Sequence, residues 1–512
     1  MASTVHEVER KYEAADGVPL PPLDGLPGVA RVEDAGTAAL DAVYFDTAGL
    51  RLAARRITLR SRTGGDDAGW HLKLPSDAPD TRTEVRLPPS GGRDVPAELA
   101  AQVARHLRGE RLLPVVRIKN SRERHHLYDA DGRLLAEVAR DRVTAQLLEP
   151  GGRPSSAVTA TGWSEIEVEL APGAPRRLLD EVERRFAAAG IRRSSSPSKL
   201  LRALGDRAPQ PAPPPPAPPG GTGTAGDAAV AYLHGRLLAL LAVDPAVRLD
   251  EEDAVHRMRV ATRRLRSALK TYRRELDRTA TDPLAEELKW LAGVLGRERD
   301  REVLDARLRT RLGELPAAAG TAAADRRLRD RFAASRAGNR DLLLREMNGA
   351  RYFRLLDALE ELVASPPLRR PARKPARGAA VRALRRERRR LTRRMDAARG
   401  LPPGEERDRA LHEARKAAKR ARYAAESAAP VLGKPAKKQQ KALKKVQKLL
   451  GEHQDSVVAR EALLRIAAET RADGGDTFPF GAAYQLERHR AAEVEARLPR
   501  TWRKARRRMP VG

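Results

Sequence analysis

The stretch HEVERKY at residues 6–12 alternates strictly: Glu7, Glu9 and Lys11 fall on one side of an extended chain and Val8 on the other. The same habit recurs in ITLRSR (57–62), WHLKL (70–74), TEVRL (83–87), VVRIKNSRERH (115–125), LLAEVARDRV (134–143) and WSEIEVEL (163–170). One face of these segments carries Arg60, Arg62, Lys73, Glu84, Arg86, Lys119, Arg122, Arg124, Glu137, Asp141, Glu165, Glu167 and Glu169. The other carries Leu59, Leu72, Leu74, Val85, Ile166 and Val168. A sandwich strand turns its apolar face to a shared core, but here a charged face runs through seven strands. That pattern predicts an antiparallel barrel, or tunnel, with a wet lumen inside and helices packed outside. Two amphipathic segments, near 97–109 and 175–190, supply those helices, so the N-terminal part is read as an α+β domain.

Both signs of charge in one lumen point to a particular chemistry. Clustered carboxylates hold hard cations through oxygen, and arginine and lysine meet phosphate oxygens. Together they suit a triphosphate clamped between a divalent metal and basic side chains, with an activated water for hydrolysis.

HEVERKY also carries the ExExK signature of the CYTH family, the triphosphate tunnel metalloenzymes. YFDTAGLRLAARRITLRSRTGG, GWHLKLP, RTEVRLP, LLAEVARDRV and SEIEVEL follow that family's order over residues 4–205. The resemblance implies a β tunnel that binds triphosphates with Mg²⁺ or Mn²⁺. By position it makes Glu7, Glu9, Asp141, Glu165 and Glu167 metal-side carboxylates, with Glu137 and Glu169 as additions. Lys11, Arg60, Arg62, Lys73, Arg86, Lys119, Arg122 and Lys199 become phosphate-side residues, and Glu7, Glu9 and Lys11 the catalytic core of the set.

The 512 residues carry a formal charge of +30, and its placement is uneven. Residues 1–207 hold 32 Lys+Arg against 30 Asp+Glu, leaving 67 against 39 for the remainder. A Pro-rich, then Gly/Thr-rich linker, DRAPQPAPPPPAPPGGTGTAG at 206–226, separates the two regimes. Beyond it apolar residues recur at three and four, so the region is read as all-helical from about 227 to 505. Breaks are expected at 365–378 and, more weakly, at 472–480.

This region is duplicated, with repeats at about 227–364 and 379–505. VHRMRVATRRLRSALKTY (255–272) parallels LHEARKAAKRARYAAESA (411–428), and WLAGVLGRERDREVL (290–304) parallels KVQKLLGEHQDSVVA (445–459). His256, Arg259, Arg263, Arg266 and Lys270 form one stripe on a helix, and His412, Arg415, Lys419 and Arg422 repeat it in register. Lys289 and Lys444 precede each LGxxxD, whose Asp300 and Asp455 are read as orienting nearby cations. Like charges at i,i+4 repel, so retention of the stripe in both copies points to an external polyanion.

The order of His256, Arg ladder and LGRERD, then His412, Lys/Arg ladder and LGEHQD, resembles the CHAD family of conserved-histidine α-helical domains. That resemblance implies two pseudo-symmetric four-helix bundles with a basic groove for inorganic polyphosphate, and adds His453 to the binding set. Glu298 and Arg299 stand in the first copy where the second has His453 and Gln454, which breaks strict symmetry.

The composition excludes other classes. With no cysteine there is no disulfide, thiolate metal site or cysteine nucleophile. Aromatic residues are 4% of the chain, too few to interleave a basic surface as a single-strand platform, so nucleic acid is disfavoured as a partner. The first residues lack the apolar run of a signal peptide and no 18 apolar residues run together, so no membrane is expected and the chain is read as cytoplasmic, associated with polyphosphate granules. The function expected is metal-dependent hydrolysis of inorganic triphosphate or short polyphosphate, with polyphosphate binding by the helical part. The alternatives are a non-enzymatic polyphosphate adaptor, or a hydrolase or cyclase acting on thiamine triphosphate or ATP. Oligomeric state is not legible in the sequence.

Overall fold

The computed structural model describes residues 3–15, 19–76, 78–90, 92, 94–149, 160–212 and 223–509. The chain divides into two compact units, 1–213 and 214–512. Most of the Pro-rich stretch of the linker, 213–222, lies outside the described residues.

The first unit is a closed, wholly antiparallel barrel in the order β1-β5-β4-β3-β2-β6-β7-β8. Its strands are β1 (Ser3–Ala14), β2 (Arg31–Asp46), β3 (Thr58–Thr63), β4 (Gly69–Pro75), β5 (Thr81–Leu87), β6 (Leu113–Tyr128), β7 (Leu134–Leu147) and β8 (Thr161–Leu170). Closure leaves no free sheet edge. It depends on β1 changing partner midway: Ser3 to Val8 pair with β5, and Glu9 to Ala14 pair with β8.

The barrel has one strand more than the sequence predicts. β2 carries one extra residue between Asp34 and Thr37, which interrupts its period of two, whereas the shift at Tyr44/Phe45 comes from an extra residue in β6. Past that bulge in β2 the inward positions Ala38, Leu40, Ala42 and Tyr44 carry no charge, so the charge alternation that marks the other seven is absent from RVEDAGTAALDAVYFD.

Apolar residues do face outward. α1 (Ala97–Leu107) buries Leu99, Val103 and Leu107 against Leu59, Trp70, Leu72 and Val85. α2 (Arg177–Ala188) buries Leu178, Leu179, Val182 and Phe186 against Tyr12, Val138, Ile166 and Val168. The Phe186 ring meets Tyr12 edge-on, centroids 4.8 Å apart. A six-residue helix, α3 (Lys199–Leu204), is capped by the Ser198 side chain, which accepts from the Leu201 N–H. Its Leu200, Ala203 and Leu204 pack on Val116, Ile118, Val143, Ala145 and Leu147, and these strand residues share the inward parity of Arg122 and Asp141. One end of the lumen is thus closed by an apolar seal.

The second unit is helical: α4 (Ala225–Arg248), α5 (Ala254–Thr271), α6 (Arg278–Gly313), α7 (Thr321–Met347), α8 (Ala350–Ala364), α9 (Ala376–Arg399), α10 (Glu405–Leu432), α11 (Lys434–Ala472) and α12 (Phe478–Arg506). Helix breaks lie at 365–375 and 473–477, so the expected breaks at 365–378 and 472–480 overrun into the first turns of α9 and α12. The elements repeat, with α4–α5–α6 matched by α9–α10–α11 and the pair α7, α8 matched by the unbroken α12. One core gathers α4, α5, α8 and the first half of α6, and a second gathers α9, α10, the first half of α11 and the end of α12.

The distal halves form a third core that the repeat alone does not announce. Leu308, Leu312, Leu328 and Phe332 of the first copy pack with Leu463, Ile466 and Phe480 of the second. At 36 and 39 residues, α6 and α11 are about 54 and 58 Å long and outrun their own bundles. α4 is long and apolar enough to cross a membrane by length and composition, but its Leu233, Leu237 and Leu240 are buried in the first core.

Phe186→Ala removes an aromatic side chain with no solvent exposure. It should destabilise the N-terminal unit by about 3–5 kcal/mol while leaving the helical unit unchanged, read as a shift in one of two denaturant transitions.

Candidate functional site

Register sets the charge pattern of the lumen. Lys73 stands opposite Glu84, Arg122 opposite Asp141, Asp141 opposite Glu165, and Glu167 opposite Lys11. Each opposition is a cross-strand neighbour contact of opposite sign, except the Asp141–Glu165 pair. That like-charged pair is where a cation sits. Lys199, the first residue of α3, places its ammonium 2.8 Å from Asp141, 2.7 Å from Glu165 and 2.6 Å from Glu167. Arg122 adds a bidentate contact to Asp141 at 2.8 and 2.7 Å and also binds Glu167. Burial would raise the Asp141 and Glu167 carboxyls, but Lys199, Arg122 and, for Glu167, Lys11 hold both below the usual range.

The opposite wall centres on Glu7, whose carboxylate is 2.5 Å from Lys73 and 2.8 Å from Arg86. Burial pushes Glu7 up to about 7 against the pull of Lys73, with Glu84 and Glu169 adding to the rise. Glu9 goes the other way: burial would raise it, yet Lys11 and Lys73 hold it at about 2. Two carboxyls two residues apart thus differ in charge at neutral pH, a separation that suits division of acid–base work. Arg60 donates to Tyr44 at 3.2 Å, and burial together with Arg60 and Arg122 disfavours the charge on Arg62.

Of the residues singled out by sequence, Glu7, Glu9, Lys11, Arg60, Arg62, Lys73, Arg86, Arg122 and Lys199 meet one polar cavity bordered by Glu167 and Glu169. Asp141 and Glu165 lie just beneath it, their oxygens within 4.8 Å of one another and of Glu167. Lys119 does not join them. It is exposed on the outer face of β6, paired in register with Asp41, because the inward positions of that strand are even-numbered. Sequence reasoning missed Tyr44, His71 and Arg82, all in the lumen or its wall, and placed Glu84 on the charged face without a metal or phosphate role. His71 sits buried between Glu84, at 2.9 Å, and the Asp67 carbonyl, at 2.8 Å. Inward parity with Lys73 and Glu84 was the signal for His71 and Arg82, whereas Tyr44 lies on a strand whose inward face beyond the bulge carries no charge to mark it.

The helical unit builds its site from α5 and α10. In both copies the Asp of LGxxxD binds the first arginine of the ladder: Arg259 to Asp300 at 2.7 Å and Arg415 to Asp455 at 3.5 Å. In both, that guanidinium lies over the glycine of the motif, 3.6 Å from a Cβ built on Gly296 and 3.8 Å from one on Gly451. The ladders then crowd each other. Burial disfavours the charge on Arg263, and Arg259, Arg422 and Arg415 add to this against the pull of Tyr423. Burial, then Arg415, Arg263 and Arg259, bring Lys419 down to about 7. The buried Nε–H groups of Arg263, Arg266 and Arg415 have no hydrogen-bond partner among the described residues.

His256 and His412 edge this cluster. Burial depresses both, helped at His256 by Arg299, and His412 pairs through Nδ1 with Gln454. Arg422 donates to Gln447 at 2.6 Å. Lys289 and Lys444 are exposed on α6 and α11, and Lys289 is bound to Glu286. His453 is not part of the groove. It is buried with Nε2 3.3 Å from Asp408 and 3.1 Å from Glu495, carboxylates that Arg460 and Arg407 hold from behind. A residue facing two carboxylates is no phosphate ligand, so the placement of His453 with the groove is corrected.

Residues 6–204 match the CYTH domain and residues 231–464 the CHAD domain. Rv2226, an uncharacterized protein of Mycobacterium tuberculosis H37Rv, is 38% identical over 512 residues, spanning 97% of this chain and 96% of its own. The chain belongs to the family of CYTH–CHAD proteins. Its first unit is a tunnel of the triphosphate-acting type and its second a CHAD helical module. Among solved structures, PptA from Streptomyces chartreusis is similar at 21% identity and TM-score 0.47, covering 55% of this chain and 99% of its own. A CHAD domain from Ricinus communis is similar at 25% and 0.40, covering 54% and 86%.

Lys419 carries charge below about pH 7 and loses it above. Anion affinity of the helical unit, measured with inorganic polyphosphate at fixed salt, should therefore weaken as pH rises through 7. Lys419→Met should flatten that part of the profile.

Proposed function

We propose that the CYTH tunnel hydrolyses inorganic triphosphate, or a short polyphosphate, with Mg²⁺ or Mn²⁺, and that the CHAD module binds inorganic polyphosphate. The observation that carries the first half is the Lys199 ammonium held by three convergent carboxylates, Asp141, Glu165 and Glu167. Their oxygens already converge on one cationic centre, and an all-oxygen donor set suits a hard divalent ion. Glu7 and Glu9 add carboxylates across the lumen.

When bound, such an ion neutralises phosphoryl oxygens and acidifies a water. The chain's own residues do the rest. Lys11, Lys73, Arg62, Arg86 and Arg122 can exchange carboxylate partners for phosphate oxygens, which keeps those cations paired, and Arg60, which donates to Tyr44, adds a guanidinium to the same cavity. Glu7, with its raised pKa, can take up a proton near neutrality while Glu9 stays ionised. The apolar seal under α3 keeps water from the far end of the lumen.

An adaptor that only grips chain ends has no use for so many lumen carboxylates, which favours the hydrolase. No described group in the lumen is arranged to read a base or a thiazolium, so the inorganic substrate is preferred over ATP or thiamine triphosphate. A cytoplasmic protein gathered on polyphosphate granules fits the second half of the reading.

Phosphate release from triphosphate, polyphosphate, ATP and thiamine triphosphate with each metal tests this. Metal-dependent turnover should be highest on triphosphate, and absence of turnover on all four overturns the enzymatic half. Glu9→Gln and Arg122→Ala should each cut kcat/KM by at least about 100-fold, the scale expected when a positioned charge is removed from a dry site. Lys119→Ala should leave turnover at the wild-type level.

A further inference from the structure

α4 and α9 hold the same place in the two repeats, yet α4 carries two arginines and α9 carries ten. The excess on α9 is therefore not inherited from the repeat, and two of its arginines, Arg386 and Arg390, stand near the end of α5. Glu387 of α9 is 1% exposed and lies 3.0 Å from Arg420 of α10 and 3.5 Å from Arg386. Arg386 in turn donates to the Thr271 carbonyl at 2.9 Å, in the last turn of α5. Three helices thus meet at a single buried carboxylate ringed by cations.

Around that carboxylate stand Lys270 of α5, Arg273 and Arg274 just after it, and Arg390 of α9. Burial, followed by neighbouring arginines, lowers Lys270, and burial outweighs Glu387 in lowering Arg420. Arg273 and Arg390 are exposed, and neither makes an ion pair or side-chain hydrogen bond with the described residues. The face is also continuous with the α5–α10 site, since Arg266 and Lys270 continue the stripe of Arg259 and Arg263. From Arg259 to Lys270 the stripe runs about 16 Å.

We propose that the face formed by α9 and the end of α5 is a second anchoring site for the same polyphosphate chain. It makes the binding path one-sided, leading from the α5–α10 crossing toward the second repeat only. The inference rests on the reading that the CHAD module binds polyphosphate. A flexible polyanion is the fitting occupant because Arg273 and Arg390 come from different elements and share no planar or aromatic reading surface.

The test uses the full chain and long-chain inorganic polyphosphate titrated over a range of salt. Arg273→Ala with Arg390→Ala should weaken binding about tenfold at fixed salt. It should also lower the slope of log affinity against log salt by about 1.4, two lost contacts at about 0.7 each. Arg497→Ala with Arg500→Ala removes the same charge from α12 and should change the slope far less. Triphosphate turnover should be unchanged in both double variants. Wild-type affinity in the Arg273/Arg390 variant overturns the second site, as does an equal loss in the α12 control. Single-stranded DNA that competes at equal phosphate concentration overturns the choice of occupant. If the wild-type chain binds no polyphosphate at all, the failure belongs to the proposed function instead.

Discussion

Everything in the N-terminal unit follows from burying charges of both signs inside a closed barrel. Taking an isolated ion out of water costs several kcal/mol, and the cost is tolerable only where an opposite charge is held in place. Strand register supplies that partner at some inward positions, as in Lys73 beside Glu84 and Arg122 beside Asp141. Elsewhere it sets like charges side by side, and cations from other positions compensate: Lys11 and Lys73 for Glu9 beside Glu169, and Lys199, which arrives from outside the sheet on α3, for Asp141 beside Glu165. A lumen so arranged is stable without substrate yet full of groups whose partners are interchangeable. Phosphate oxygens can replace carboxylates on the cations, and a divalent ion can replace an ammonium on the carboxylates.

The helical unit meets the opposite problem. Its ladders bring cations of one sign together with few acids, and the acids present are already committed: Asp300 to Arg259, Asp455 to Arg415, Glu387 to Arg420. The repulsion is borne by the apolar cores, including the third one where the distal halves of the two repeats interlock. In one unit charge is balanced within the protein, and in the other cations stay in excess. Under the proposed function both arrangements suit one class of partner, because a phosphate chain offers densely spaced oxygens to either.

Alternation in HEVERKY and its fellows specified seven strands, the outward apolar face and the inward charged one. Period two fixes which side chains share a face whatever the neighbouring strand. That logic carried nearly the whole lumen set, and it failed at Lys119 because the parity of a 16-residue strand was assigned from the wrong member of a dense basic run. It failed for β2 because a bulge between Asp34 and Thr37 breaks the period and the inward positions beyond it, Ala38, Leu40, Ala42 and Tyr44, carry no charge. The duplication, the linker and the ladder of the helical unit were likewise open to view, as they are spacings along one chain.

Partners across the fold were not. Nothing local in LGEHQD says that His453 faces Asp408 and Glu495 rather than the neighbouring cations, since those carboxylates come from α10 and α12. Nor does the sequence of α9 say that its arginines meet the end of α5. The sequence determined the period of each element and the sign of each face, because these depend on residues a few positions apart. The tertiary structure alone decided which faces meet, which cation each carboxylate holds and which end of the tunnel closes, because each depends on chain segments that only packing brings together.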